Sequence, residues 1–255
     1  MIDGMSVSAA RLATVLLLTQ STWQTLAPSK CIQSYGMTKK VSPMLGYICD
    51  FISEGTGTVT LSWAMAMYLI FFRGFHEDPL RAIGLSLVAT IYHNAKALMT
   101  DMPRTLDMPA AGQWISLTIK LVVMVAILSE SNHSSILAKM FALFGILSGT
   151  KLALAPQEAA RDWGSHINVP AHPSADCLLR VLGQNVAGYA VFIGCIALEI
   201  SPTRALGMSI MPSLLSNIHL SYFSTVYDRA GVNKDAILAW MVVGAVLIAV
   251  LIVDI

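Results

Sequence analysis

The chain has 255 residues, of which 55% are hydrophobic and 12% are charged, and its formal net charge is +1. Soluble domains carry about 25% charged residues, so water could not accommodate this much apolar surface. The charge balance offers no basic patch for nucleic acid and no acidic tail for a polycation. The composition therefore indicates an integral membrane protein, with the lipid bilayer as its first partner.

Hydrophobic segments recur along the whole chain. A transmembrane helix needs about 20 mostly apolar residues, and eight segments come close to that length. They are 7–27, 55–72, 79–99, 112–130, 135–155, 177–199, 203–225 and 235–254. We expect an all-α membrane protein with about eight transmembrane helices.

The second segment is the least regular of the eight. Its start is polar and glycine-rich, with Asp50, Glu54, Gly55 and Gly57. Interrupted helices of this kind are typical of transporters. The two longest connections, 28–50 and 156–176, contain prolines and are expected to be surface or re-entrant segments.

Two blocks of sequence recur in the same order. Residues 11–36 align with 139–164 at an offset of 128, and residues 79–98 align with 202–221 at an offset of 123. A four-helix unit returns the chain to its starting side, so two such copies would be parallel. The predicted domains are a first four-helix repeat, 1–131, and a second, 132–255.

The second half carries a pattern of small residues around its first three helices. Its first helix ends with Gly149, Lys151 and Pro156, and Pro202-Thr-Arg204 opens its third helix. This pattern resembles the DoxX-like superfamily of small four-helix membrane proteins. The first half departs from it, because Trp23 stands where the second half has Lys151.

The resemblance implies an accessory membrane unit more than any reaction. Some members of that superfamily accompany thiosulfate:quinone oxidoreductases, and others serve membrane redox complexes as non-catalytic partners. Some eukaryotic relatives assist the assembly of other membrane proteins. A shared fold does not transfer chemistry.

Lys120 is the sharpest candidate for a functional side chain. It lies near the middle of the fourth segment, where an ionisable group is costly and needs a carboxylate, a carbonyl or a water-filled cavity. Glu54 and Asp50 are the expected partners. Lys120 either makes a structural pair or contributes to a site for an anionic ligand or lipid headgroup.

Polar residues also recur on the third helix of each half. His93 and Asn94 stand in the first half, and Asn217 and His219 stand in the second, with both asparagines at the same repeat position. Hydrogen bonds between membrane helices contribute about 0.6 to 2 kcal/mol each, which is the structural interpretation. The functional alternatives are a histidine that ligates a pigment or haem, and a hydrogen bond to a quinone.

Arg81 and Arg204 open equivalent helices, with Glu77, Asp78 and Glu199 close in sequence. The pattern favours a salt-bridged turn at the membrane face. The alternative is a headgroup clamp, because arginine binds phosphate through two parallel hydrogen bonds.

Cys31, Cys49, Cys177 and Cys195 form no CxxC and no Cys/His metal spacing. We interpret them as small apolar fillers, with a Cys31–Cys49 disulfide as the alternative. No metal ligand is assigned.

The chain contains no GxSxG, HExxH, P-loop or GxGxxG motif, so no catalytic residue is assigned and enzyme activity is not expected. The leading hypothesis is a non-catalytic accessory or structural subunit, or an assembly factor, of a larger membrane protein complex. The second is a redox accessory that binds quinone or pigment between the halves, and the third is a small-solute transporter. Bound lipid, quinone or pigment are the candidate cofactors, and an organelle inner membrane (mitochondrial or thylakoid) or an endomembrane is the expected location.

Overall fold

The computed structural model of the chain describes residues 2–37, 43–100, 110–161 and 172–253, and within these ranges every regular element is a helix. The helices are α1 (Ile2–Leu26), α2 (Pro28–Ser34), α3 (Pro43–Phe72), α4 (Pro79–Ser86), α5 (Val88–Met99), α6 (Ala110–Leu128), α7 (Ser134–Leu154), α8 (Pro156–Arg161), α9 (Pro173–Ala197), α10 (Pro202–Tyr222), α11 (Val226–Ala230) and α12 (Lys234–Val253). The predicted all-α class is confirmed.

Five helices in the described ranges are long and apolar enough to cross a membrane. They are Gly46–Phe72, Ala110–Leu128, Ser134–Leu154, Pro173–Ala197 and Lys234–Ile252. Each is near or above the length that the hydrocarbon core requires. The chain is therefore an α-helical membrane protein.

The predicted second segment differs most from the observed helix. Residue 55 is not its start, because α3 runs without interruption from Pro43 to Phe72. Proline is favoured at the first position of a helix, where its missing N–H costs nothing. The polar residues at 50 and 54 therefore lie inside α3, and the expectation of an interrupted helix was wrong.

Part of each long connection is also helical. The connection expected at 28–50 contains α2 and the first turns of α3, and the one expected at 156–176 contains α8 and the start of α9. The predicted third segment, 79–99, divides at Leu87 into α4 and α5. The Leu87 N–H still donates to the Ile83 carbonyl at 3.2 Å, so the two helices follow one another closely.

Two helices, α3 and α9, form the centre of the bundle and contact each other. The apolar windows of these helices are 61% and 67% buried, whereas those of α6, α7 and α12 are 17–22% buried. Around this centre, α1 packs on α3 and α7 packs on α9. The ring closes where α6 contacts α7 and where α12 contacts α1.

Close approach of α7 and α9 depends on glycine. A Cβ on Gly183 would lie 2.5 Å from the backbone nitrogen of Ala153 and 2.6 Å from the carbonyl oxygen of Gly149. A Cβ on Gly57, in α3, would lie 2.8 Å from the backbone nitrogen of Thr25 in α1. Small residues allow membrane helices to gain van der Waals contact where no hydrophobic effect drives them together.

The chain turns in the same way after α1 and after α7. Ala27 has φ −141° and ψ 59°, and Ala155 has φ −127° and ψ 59°. The N–H of Ala27 donates to the Trp23 carbonyl at 2.9 Å, and that of Ala155 donates to the Lys151 carbonyl at 2.8 Å. A short helix beginning with proline follows each turn, so residues 128 apart share one local conformation.

Candidate functional site: two cavities beside the central helices

The larger cavity, called the lysine cavity here, has a volume of about 420 Å³ and lies between α3, α5 and α6 on one side and α7 and α9 on the other. Its walls are mostly apolar, and its polar lining residues include His93 and Asn94 of α5, Gln113 and Lys120 of α6, and Lys151 of α7. Ile119 of α6 and Phe144 of α7 line it and are also 38% and 62% exposed. The cavity therefore opens between two membrane-spanning helices, towards lipid.

Lys120 is the first member of a chain of three hydrogen-bonded side chains that line this cavity. Its Nζ donates to the side-chain oxygen of Asn94, whose Nδ2 donates to Oε1 of Gln113 at 2.7 Å. An ammonium group can only donate, which sets the orientation of both amides. The remaining N–H groups of Lys120 and the amide NH₂ of Gln113 donate to no other residue in the described part of the chain, and both residues line the cavity.

The expected pairing of Lys120 with Glu54 or Asp50 was wrong. Glu54 pairs with Lys96 at 2.6 Å, and Asp50 accepts a hydrogen bond from Ser29 at 2.7 Å. Residues 94 and 96 are about 200° apart around α5, so Lys96 reaches α3 while Asn94 reaches α6. Among the residues that the structure describes, no carboxylate forms a salt bridge with Lys120.

His93 lies between the lysine cavity and the Glu54–Lys96 pair. Its Nδ1 is 3.9 Å from Oε1 of Glu54, and its ring stacks on Phe51 with 5.2 Å between centroids. Gly55 faces the opposite ring nitrogen, which lies 3.4 Å from the position of a Cβ. The predicted candidates His93, Asn94, Lys120 and Glu54 are thus brought together at one site.

The smaller cavity, called the neutral cavity here, has a volume of about 190 Å³ and lies between α9, α10 and α12 on one side and α1, α2 and α3 on the other. Asn217 lines it and accepts a hydrogen bond from the Tyr227 hydroxyl. Tyr35 lines it as well and accepts from Nε2 of Gln20 at 2.9 Å. The described lining contains no Asp, Glu, Lys, Arg or His.

Both phenols of the neutral cavity remain uncharged at physiological pH. Burial raises the pKa of Tyr35 to about 12 and also raises the pKa of Tyr227. Desolvation disfavours the phenolate, so each hydroxyl keeps its proton.

The two cavities are lined by residues at constant offsets. Between the central helices α3 and α9 the offset is 126. The lysine cavity is lined on α3 by Phe51, Ile52, Gly55, Thr58 and Val59. The neutral cavity is lined on α9 by Cys177, Leu178, Val181, Gln184 and Asn185. Between α1 and α7 the offset is 128. The neutral cavity is lined on α1 by Ala13, Leu16, Leu17, Gln20 and Gln24. The lysine cavity is lined on α7 by Phe141, Phe144, Gly145, Ser148 and Leu152. Asn94 and Asn217, at an offset of 123, occupy corresponding walls.

A constant offset of 124 also relates contacts of α6 and α12. A Cβ on Gly84 would meet Ile127 and Leu128, and a Cβ on Gly207 would meet residues 251 and 252. This offset places Gly244, which lines the neutral cavity, at the position of Lys120.

The remaining predicted candidates lie outside both cavities. His219 is exposed and stacks on Phe223, with 6.3 Å between ring centroids. Arg81 lies 3.6 Å from Glu130, and its backbone N–H is capped by Asp78 at 3.1 Å. Arg204 is exposed at the third position of α10. The guanidinium of Arg81 thus pairs with Glu130, in the turn before α7, and among the described residues no salt bridge joins it to Glu77 or Asp78. The salt-bridged turn at the membrane face stays a prediction.

Sequence reasoning missed two polar contributions. Gln113 completes the Lys120 chain, and Arg180 binds Asp176 at 3.1 Å and the Ala153 carbonyl at 2.9 Å. The signal for the second was available, because an acid and a base four residues apart share a helix face. The predicted segment began at 177, which left Asp176 outside it.

The four cysteines are free and buried, in agreement with their interpretation as fillers and against a Cys31–Cys49 disulfide. No cluster of three or more potential metal ligands occurs within the described ranges. Comparison of the chain with family models, curated proteins and solved structures finds no match. The function is therefore argued from the residues of the two cavities.

Proposed function

We propose that this protein is a non-catalytic membrane protein that binds a lipid-soluble ligand in the lysine cavity. The observation that supports this proposal is that the Lys120–Asn94–Gln113 chain ends, inside a cavity with mostly apolar walls, in donors that no residue of the described ranges occupies. Such a site suits a head group that only accepts hydrogen bonds, namely a carboxylate, a phosphate or a quinone carbonyl. The apolar walls suit the tail of the same molecule.

Size and charge support this proposal. A volume of about 420 Å³ falls within the roughly 300–1,000 Å³ of small-molecule sites. A lysine in a membrane helix is costly without a partner, and an acceptor head group on the ligand would reduce that cost. The opening between α6 and α7 lets the ligand enter from the bilayer.

We also propose that the chain crosses the membrane eight times as two parallel four-helix repeats, 1–131 and 132–255. The spans added to the five apolar helices are α1, α4 with α5, and α10. The shared turns at Ala27 and Ala155 support the repeat, as do the constant offsets of the cavity linings. The resemblance of the second half to the DoxX-like superfamily remains part of this proposal.

Competitive photolabelling tests the ligand class. The purified protein in lipid nanodiscs is exposed to a palmitic acid analogue that carries a diazirine, and cross-linked residues are mapped by mass spectrometry. We expect saturable labelling near Ile119 and Phe144. Unlabelled palmitate should compete at least about tenfold better than its methyl ester, because the ester lacks the charge that Lys120 binds. Equal competition by acid and ester would overturn the carboxylate form of the proposal, and a quinone and a lysophosphatidate in the same assay distinguish the other acceptors.

Lys120→Met removes the donor and keeps the length of the side chain. A hydrogen bond to a charged group contributes about 1.5–3 kcal/mol, so affinity for the acid probe should fall at least about tenfold. Lys139→Met is the matched control, because Lys139 is an exposed lysine on α7 outside the cavity. If the two variants bind the probe equally while both elute as the native species, the lysine cavity is not the site.

The role of subunit or assembly factor is a second proposal. Large apolar side chains are exposed on the contacting helices α6 and α7, including Trp114, Val125, Met140 and Leu147. Lipid or another membrane protein would cover this face. Purification in a gentle detergent followed by mass spectrometry should recover a larger complex, and a monodisperse lone protein would argue against the proposal.

A further inference from the structure

The neutral cavity contains buried polar groups without partners. Among the residues that the structure describes, Oγ of Ser53, Nε1 of Trp63 and Oε1 of Gln184 find no hydrogen-bond partner, and the three residues are 0%, 2% and 5% exposed. All three line the neutral cavity. A buried polar group left unsatisfied costs about 1–3 kcal/mol, so three of them around one cavity indicate a bound molecule.

The chemistry of these groups defines that molecule. The indole N–H of Trp63 can only donate, the carbonyl oxygen of Gln184 can only accept, and the hydroxyl of Ser53 can do both. A hydroxyl group is the smallest group that donates and accepts at once. The cavity offers no charged or histidine side chain in its described lining, so a charged head group would lose its hydration without compensation.

Access is again from the side of the bundle. Trp240 and Val243 of α12 line the neutral cavity and are 40% and 39% exposed. Leu16 and Leu17 of α1 lie on the opposite wall. The opening between α12 and α1 thus corresponds to the opening of the lysine cavity between α6 and α7.

We infer that the neutral cavity is a second ligand site, selective for an uncharged, lipid-soluble molecule with a hydroxyl head group. Trp63 and Gln184 hold the hydroxyl, and the apolar residues of α1 and α12 contact the chain. Ser53 lies ten residues before Trp63 on α3, about 15 Å along the helix axis, so it lines another part of the cavity. This site is separate from the lysine cavity and does not depend on the ligand proposed there.

A fatty alcohol probe tests the inference. Hexadecanol carrying a diazirine should label residues near Trp240 and Val243 saturably, and unlabelled hexadecanol should compete at least about tenfold better than palmitate. Trp63→Phe keeps the ring and removes the N–H, and Gln184→Leu removes the acceptor. Each should reduce alcohol labelling several-fold, whereas Lys120→Met should leave it unchanged.

Matched controls are available for both substitutions. Trp114→Phe alters an exposed tryptophan on α6, and Gln157→Leu alters an exposed glutamine on α8. Equal competition by palmitate and hexadecanol at this site would overturn the inference, and so would the lack of any saturable cross-link, which would mean that only water fills the cavity. The competition result on the unmodified protein decides the matter even where a variant fails to fold, and labelling at Phe144 reports the lysine cavity independently.

Discussion

The lysine cavity and the neutral cavity are lined by residues at constant offsets, but their linings differ in charge. Their walls are formed by residues at constant offsets, and an asparagine stands at the same point of each. Lys120 in one cavity corresponds to Gly244 in the other. Residues that allow close helix packing recur at these constant offsets, whereas the residues that determine what each cavity can bind differ.

The central helices differ in a similar way. Glu54 of α3 and Arg180 of α9 stand 126 residues apart, and each is paired locally, Glu54 with Lys96 and Arg180 with Asp176. Opposite charges at one corresponding position are tolerated because each finds a partner within its own half. A charge at this helix position therefore needs a partner of opposite charge, and either sign is tolerated.

The largest expected effect concerns the two glycines at which α9 packs on α7 and α3 packs on α1. Gly183→Ala and Gly57→Ala should each destabilise the protein by about 1–3 kcal/mol, because the new methyl group would meet backbone atoms that cannot move aside. Thermal unfolding in detergent measures the loss. Gly4→Ala is the control, since nothing lies within 4 Å of its Cβ position. Unchanged stability in one of the two halves would break the correspondence between them.

The next expected effect tests whether residue 244 alone explains why the two cavities differ in charge. Gly244→Lys places an ammonium group where the neutral cavity has none, and a Cβ there meets only a side-chain carbon of Ile210 at 3.7 Å. Asn217 can accept from the new lysine as Asn94 does from Lys120. We expect the palmitate probe to label the neutral cavity, with alcohol labelling reduced about tenfold, or about 1.4 kcal/mol. Labelling that stays as in the unmodified protein would show that the charge at this position does not set selectivity.

The last comparison is between an ion pair inside the bundle and an ion pair at its edge, and the edge pair has the smallest expected effect of all. Lys96→Met leaves Glu54, whose side chain is 13% exposed, without its main partner and should cost about 1–3 kcal/mol. Arg81→Met removes the pair with Glu130, whose side chain is 74% exposed, and should cost less than about 1 kcal/mol. Unfolding midpoints of the two variants would be compared directly. A larger loss for Arg81→Met would mean that the turn between α6 and α7 depends on this exposed pair.

Sequence reasoning located the five apolar helices and three residues that line the lysine cavity, His93, Asn94 and Lys120. Hydrophobic length predicts the spans because lipid requires it, and intramembrane Lys120 and Asn94 stand out because polar groups there are costly. It misassigned the partner of Lys120, because the choice between Asn94 and Glu54 depends on which face of α5 meets α6. It also placed the start of α3 too late, because polarity near a helix end resembles a loop until its partners are known.

The amino-acid sequence by itself indicated that the protein lies in a membrane and that it is helical. It also indicated which polar residues of the predicted third and fourth segments are candidates for function. These follow from composition and spacing, since the bilayer selects helices by length and apolarity. Only the tertiary structure decided which polar groups meet, that Gln113 completes the Lys120 chain, and that the neutral cavity holds unsatisfied groups from α3 and α9. Such contacts join helices far apart in sequence, and their geometry depends on the glycine-mediated packing of α1 on α3 and of α7 on α9.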